Sequence, residues 1–147
     1  MKNALQRRTS AGYMTSWAAR LYAREMDRRL RPLGLSTGHL PVLFALADGA
    51  ALSQKQLTEM AAIEQPTMAA TLARMERDGL IARSRDPDDR RSMLVTLTAE
   101  ARRHLPAVIE AVEAVNAAAT KGLDAAEQAE MLALLERVVE NLASDAD

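Results

Sequence analysis

Apolar residues return at intervals of three and four from Thr9 or Ser10 onward, through Met14, Trp17, Ala18, Leu21, Tyr22, Met26, Leu30 and Leu33. That period belongs to one face of an α-helix and predicts a long amphipathic helix over 9–33. Pro32 and Gly34 close it, and Ser36 is placed to cap a second helix from Thr37 to about Asp48. Leu40, Val42, Leu43, Phe44 and Leu46 make this second helix apolar on most sides. It is expected to be central and buried.

Asp48-Gly49 breaks the chain, and Ser53 followed by Gln56 has the spacing of a capping box at the start of a third helix, with Leu57, Met60 and Ala61 on its inner face. After the turn Ala62-Ile63-Glu64, Gln65 stands where a cap would stand and Pro66 takes the first helical position, where its missing N–H costs nothing. In the fourth helix Met68, Leu72 and Met75 share one side, leaving Gln65, Thr67, Ala70, Thr71 and Arg74 turned away from the core until Asp78-Gly79 ends it. Leu80 to Arg85 and Ser92 to Leu97 read as strands, the second alternating through Met93, Val95 and Leu97. The charged stretch Asp86 to Arg91 between them is too long for a two-residue turn, so it projects as a tip. Thr98 is placed to cap a fifth helix, which Pro106 can bend and Gly122 stops; Asp124 and Glu127 repeat the capping-box spacing before a sixth, lined by Met131, Leu132, Leu135, Val138, Val139 and Leu142.

Composition narrows this to a mainly α protein with a small sheet. The chain has 147 residues, the size of one domain, and only 3% of them are aromatic while many apolar positions are Ala. It has no cysteine, which excludes disulfides, thiolate metal sites and thiol redox sensing. The first residues are basic but lead into no continuous apolar run, and no segment has the length of a membrane span, so a cytoplasmic protein is expected.

Net charge is −1, which alone argues mildly against a nucleic-acid partner. Its distribution says more. Residues 1–34 hold eight basic and two acidic side chains, net +6, whereas residues 104–147 hold two basic and nine acidic, net −7. Residues 53–103 are nearly balanced, nine basic against eight acidic, so attraction to DNA there falls to local clusters such as Arg90-Arg91.

Two short helices joined by a tight turn, followed by strand, basic loop and strand, compose a winged helix-turn-helix. The second of the pair sets its N-terminal side chains against base edges of a major groove while the first crosses the backbone. Gln65, Thr67 and Thr71 hold that outward N-terminal position; Gln pairs bidentately with adenine, a Thr methyl meets the thymine methyl, and Arg74 one turn on suits phosphate or guanine. Backbone amides near Pro66, and near Ser53 and Gln54, add anion affinity. Arg90 and Arg91 can enter a minor groove, with Asp88 and Asp89 available to hold their guanidiniums. An enzyme lacks a centre: His39 and His104 are the only histidines, neither stands at metal-ligand spacing with a carboxylate, and there is no phosphate loop. No metal or other cofactor is implied. A protein-binding adaptor is the other competing class, against which the polar outward face and two-arginine tip argue.

These residues carry a resemblance. The runs IEQPTMAATLARMERDGLIAR and DPDDRRSMLVTLT, with LRPLGLSTGHLPVLFAL before and GLDAAEQAEMLALLERVVENL after, resemble the MarR family of bacterial transcriptional regulators, in particular its SlyA-like branch. The resemblance covers most of the chain. It implies a single domain over 1–147, with a winged core at 36–98 and dimerisation helices at 9–33 and 99–143. It also implies a homodimer on palindromic double-stranded DNA, usually a repressor, often released by a small aromatic or phenolic effector; the alternative is an activator or anti-silencer without a dedicated effector, since the sign of regulation depends on where the operator lies relative to the promoter. Family positions that read bases match Pro66, Thr67, Thr71 and Arg74; the wing arginine matches Arg91, with Asp89 and Arg90 beside it. One position departs: Ala70 stands where SlyA-like relatives often carry an arginine.

The terminal helices have more apolar face than a monomer of this size covers, which fits the implied dimer. The resemblance also points to an effector cleft lined by the first two helices, where Trp17, Arg20, Leu21, Arg24, His39 and Leu43 would offer an aromatic and aliphatic wall with a cation for a carboxylate or phenolate.

Overall fold

A computed structural model describes residues 5–145. The chain divides into two compact units, the first ending at Val112 and the second beginning at Glu113.

The first α-helix of the first unit is α1 (Ala11–Leu30), which Ser10 caps by accepting from the Tyr13 N–H at 3.2 Å. A single 3-10 turn, Arg31–Leu33, continues it to Gly34, whose positive φ of 72° turns the chain away. A second such turn, Thr37–His39, leads into α2 (Leu40–Leu46). This helix is shorter than the 37–48 that periodicity predicts, because its first turn is wound more tightly and its last residues already belong to the Asp48-Gly49 turn.

The Ser53–Gln56 capping box forms as expected: Ser53 Oγ accepts from the Gln56 N–H at 3.1 Å and Gln56 Oε1 from the Ser53 N–H at 2.9 Å, opening α3 (Gln54–Ala61). Ala62 then takes the left-handed conformation, φ 51°, and is the one non-glycine with positive φ among the described residues. It turns the chain into α4 (Gln65–Arg77) at about 1 kcal/mol of strain. Here the expectation is off by one residue: Glu64, extended at φ −62° and ψ 142°, is the cap, Gln65 is the first helical residue and Pro66 the second. The Glu64 carbonyl accepts the first helical bond, from Met68 at 3.0 Å, and no side chain caps the end. The Gln65 amide is therefore not spent on its own backbone.

Three strands, the first lying ahead of α3 in the chain, form one sheet in the order β1-β3-β2, both pairings antiparallel. β2 (Ile81–Arg85) and β3 (Met93–Leu97) form the wing hairpin, Ile81 opposite Leu97 and Arg85 opposite Met93. β1 is only Leu52–Ser53, paired with Val95 and Leu94. Two residues are too few to show alternation. At the end of α4, Gly79 with φ 75° admits a close clasp to α5 (Ala99–Ala119): the Thr98 hydroxyl donates to the Gly79 carbonyl at 2.6 Å and accepts from the Ala101 N–H at 3.2 Å.

Leu30, Val42, Leu46, Leu57, Met68, Leu72, Met75 and Val95 are the fully buried centre, drawn from α1 to α4 and β3. Two expected core members are outside it. Phe44 and Met60 are 66% and 64% exposed, and with Pro41, Ala45 and Ala61 they line a shallow outward groove. Leu40, Val42, Leu43 and Leu46 already fill the inward side of the short α2, and Leu57 fills that of α3. Pro106 lies within a continuous α5.

In the second unit α5 ends, Gly122 (φ 87°) reverses the chain, and Asp124 caps α6 (Ala125–Ser144) in a reciprocal box with Glu127, at 2.8 and 3.1 Å. α6 buries no residue. Among the described residues no helix is long and apolar enough to cross a membrane, and no cluster of three or more His, Asp or Glu side chains is arranged to hold a metal ion.

Candidate nucleic-acid interface

Met68, Leu72 and Met75 seat α4 in the core, each no more than 1% exposed. The seating turns Gln65, Pro66, Thr67, Ala70 and Arg74 to solvent, while Thr71 is half-buried at the edge of the face. Ala70 leaves the middle of that face flat. The first residue of α3 reaches across to the first of α4: Gln54 Nε2 lies 3.5 Å from Gln65 Oε1.

The wing is tied to α4 by a pair that periodicity does not suggest. Arg83 of β2 places its Nε 3.3 Å from the Glu76 carboxylate, with the arginine side chain 24% exposed and the glutamate 49%. So exposed a pair adds at most about 1 kcal/mol, and it links the hairpin to the last turns of α4. Its only signal in the sequence is one inward-leaning arginine in a strand.

At the tip, residues 86–92 close on the Asp86 N–H donating to the Ser92 carbonyl at 3.0 Å. Asp88, Asp89, Arg90 and Arg91 are all exposed. The aspartates do not hold the guanidiniums as expected. Asp86 accepts from the Asp88 backbone N–H at 2.9 Å and Asp89 from the Arg91 backbone N–H at 3.0 Å, and among the described residues neither Arg90 nor Arg91 has a carboxylate within ion-pair distance. A short aspartate side chain meets the backbone two residues on more easily than it reaches the end of a long arginine. The acids thus shape the turn and leave both cations unpaired toward solvent.

The residues expected to line an effector cleft are spread between surface and core. Trp17 is half-buried and Arg20, Leu21 and Arg24 are exposed along α1, whereas His39 and Leu43 are buried. His39 Nδ1 accepts from the Ser36 N–H at 3.0 Å, a local bond at the entry to α2. Trp17 and Arg20 belong to a ladder with two residues not singled out from sequence. The Arg8 guanidinium lies 5.6 Å over the Trp17 ring, Trp17 meets Tyr13 edge-to-face at 6.2 Å, and Arg20 lies 5.8 Å from the Tyr13 ring. At the other end of α1, Asp27 accepts from the Thr37 hydroxyl and from the Thr37 N–H at 2.7 Å. Those two bonds, the hydroxyl first, hold the Asp27 carboxyl below its ordinary pKa.

Helix, turn and helix followed by a projecting hairpin, which a short strand ahead of the helices completes to three strands, define a winged helix-turn-helix protein. The MarR family profile matches residues 33–92. The HTH-type transcriptional regulator YwoH of Bacillus subtilis is 36% identical over 84 residues, 57% of this chain and 61% of its own length. The transcriptional regulator PA3341 superposes with a TM-score of 0.79 at 31% identity, over 90% of this chain and 98% of that one. The chain belongs to the MarR family. BpsR of Bordetella bronchiseptica, whose structure concerns regulation of its DNA binding by 6-hydroxynicotinic acid, matches with a TM-score of 0.83 at 26% identity, over 93% and 98% of the two chains.

Proposed function

We propose that this protein is a homodimeric transcriptional regulator that binds palindromic promoter DNA as a repressor and lets go when a small aromatic or phenolic effector binds. The observation that carries the DNA reading is the exposed, polar N-terminal face of a core-seated α4 beside a wing tip with two unpaired arginines. Gln65, Pro66, Thr67, Thr71 and Arg74 face the major groove. Ser53 and Gln54 meet the backbone at the start of α3, and Arg90 and Arg91, on a turn shaped by Asp89, enter the minor groove. Because Ala70 offers no long side chain, the wing carries a larger part of the affinity than the helix.

Two such heads give useful affinity only as a pair, and the bare apolar face of α6 supports a homodimer. The opposite charges of the two ends, net +6 over 1–34 from eight basic and two acidic residues, and net −7 over 104–147 from two basic and nine acidic, add attraction between them. Raising salt therefore weakens the dimer. Equal sedimentation at low and high salt removes that electrostatic part.

The Arg8, Trp17, Tyr13, Arg20 ladder suits an aromatic anion, and regulation of BpsR by 6-hydroxynicotinic acid supports this class of effector. The effector acts by population shift, lowering DNA affinity by its differential affinity for a dimer whose recognition helices no longer match successive grooves.

Selection of fragments from a random DNA pool by the purified protein tests the reading: the expected product is a palindrome with half-sites about 10 base pairs apart. An unenriched pool ends it. On the selected fragment, the double substitution Arg90→Ala, Arg91→Ala lowers the slope of log affinity against log salt by up to about two. An unchanged slope takes the wing out of the interface.

A further inference from the structure

We propose that Gln54 is a positioning residue that fixes the Gln65 amide to read an adenine, the two side chains acting as one unit; this rests on the DNA reading above. Gln54 is the first residue of α3 and Gln65 the first of α4, so both amides sit on the rim of the turn between the two helices. Neither is engaged by its own helix end. Ser53 and Gln56 close the start of α3 between themselves, and α4 has Glu64 as its cap with no side-chain bond. Each amide therefore has the other as its protein neighbour, with Gln54 Nε2 3.5 Å from Gln65 Oε1.

The chemistry follows from which atom faces which. Gln54 donates, so the Gln65 carbonyl oxygen is the end turned toward α3 and its NH2 is turned the other way. Adenine presents an acceptor, N7, and a donor, the N6 amino group, on its major-groove edge. Gln65 Nε2 then donates to N7, and Oε1 accepts from N6 with the lone pair that Gln54 leaves free. Guanine presents two acceptors, N7 and O6, and would set O6 against Gln65 Oε1. An unheld glutamine can rotate its amide and lose that distinction; a neighbouring NH2 that is itself turned by a phosphate oxygen favours the orientation with the Gln65 oxygen toward α3.

Gln54 is half-buried and Gln65 exposed, so Gln54 is the more confined member and Gln65 the reader. Its second Nε2 hydrogen remains for a phosphate oxygen. At 3.5 Å the two amides are adjacent but longer apart than a settled N–H···O bond. The base edge supplies the closure.

The full chain and the fragment it selects provide the test. Binding is measured for that fragment, for copies with each base pair exchanged, and for copies with single adenines replaced by 7-deazaadenine. Exchange of one A·T pair per half-site for G·C, or loss of its N7, is expected to cost the wild type about 5- to 150-fold. Gln65→Met removes that preference. Gln54→Met, which keeps the stem and deletes the donor, lowers the preference at the same base pair about threefold or more, and Gln54→Glu, which keeps the shape but accepts in place of donating, does likewise. The double variant Gln54→Met, Gln65→Met shows no greater loss of preference than Gln65→Met alone. A Gln54→Met variant that weakens every sequence equally overturns the pair, as do losses of preference that add, or a selected site with no adenine that responds to Gln65→Met. Those results leave the DNA reading standing. A pool that the wild type does not enrich overturns both.

Discussion

α4 and α6 follow one rule of sequence and end differently. Each sets large apolar residues at steps of three and four along one side, Met68, Leu72 and Met75 in the first, Met131, Leu135, Val138 and Leu142 in the second. α4 spends its stripe inside the reading head, where it packs on α3 and β2 and its three residues are at most 1% exposed. α6 buries nothing: Leu132, Val139 and Leu142 are 64%, 65% and 68% exposed, and Leu123, Met131, Leu134, Leu135 and Val138 line an open groove of about 480 Å³. Periodicity says that a face wants cover. It does not say whose.

The largest effect separates those two cases directly. Leu72→Ala, at 0% exposure, is expected to lower the unfolding free energy by about 2–5 kcal/mol at any protein concentration, read by urea denaturation. The pair Leu132→Ala, Val139→Ala acts on a surface the single chain leaves open. Should a second copy cover it, as proposed, the pair weakens the dimer at least about tenfold in sedimentation, and the wild-type urea midpoint climbs with protein concentration. Should nothing cover it, each substitution stays within about 0.5 kcal/mol and the midpoint is independent of concentration. That second outcome would leave the contrast between the helices intact while removing the dimer from α6.

How much of this was legible follows the same division. The order of the six helices, the hairpin and the caps at Ser53, Thr98 and Asp124 are local matters, decided by spacing within a few residues. What involves two distant segments was not. β1 exists because Leu52 and Ser53 meet Val95 and Leu94, partners more than 40 residues on, and two residues carry no pattern. Phe44 and Met60 read as core because composition cannot see that the inward side of a short helix is already full. At the candidate site, the outward face of α4 and the projecting tip were readable. The Arg83–Glu76 tie, the Arg8, Trp17, Tyr13, Arg20 ladder and the backbone role of Asp89 were not, since each depends on where a long or short side chain finds its nearest partner.

A second, smaller difference between the regions is polar. The reading head has a buried-edge tie that α6 has no equivalent of among the described residues, Asp27 accepting twice from Thr37 to lash α1 to the entry of α2. Thr37 holds the Asp27 pKa below the ordinary 3.8, so the charged form is favoured in the folded state. The resulting stability is full above that ordinary value and is lost as pH falls through the lowered folded one. Asp27→Asn should therefore cost about 1–2 kcal/mol near neutral pH, and the gap between variant and wild type should close in acid below 3.8. Denaturation curves at a series of pH values read it. A gap that stays constant through that acid window would mean the contact acts by shape alone.

The smallest effect puts one motif in both settings. Ser53 with Gln56 opens α3, and Asp124 with Glu127 opens α6, through the same reciprocal pair of bonds. Ser53→Ala and Asp124→Ala each remove one bond of such a box, about 1 kcal/mol in a helix that unfolds with the rest of the protein. α3 is held by Leu57 at 1% exposure, so its cap is lost only on global unfolding and the full cost should appear in the urea midpoint. α6 has no buried residue, so in a lone chain it can fray from its start without the core opening, and the cost of Asp124→Ala then shows as faster amide exchange over 125–130 with little change in midpoint. Covered by a second copy, α6 unfolds only with the dimer, and Asp124→Ala joins Ser53→Ala in moving the midpoint. Equal shifts from the two substitutions at high protein concentration, diverging on dilution, are the expected result; shifts that differ by the same amount at every concentration would show that the two helices are alike only in their sequence.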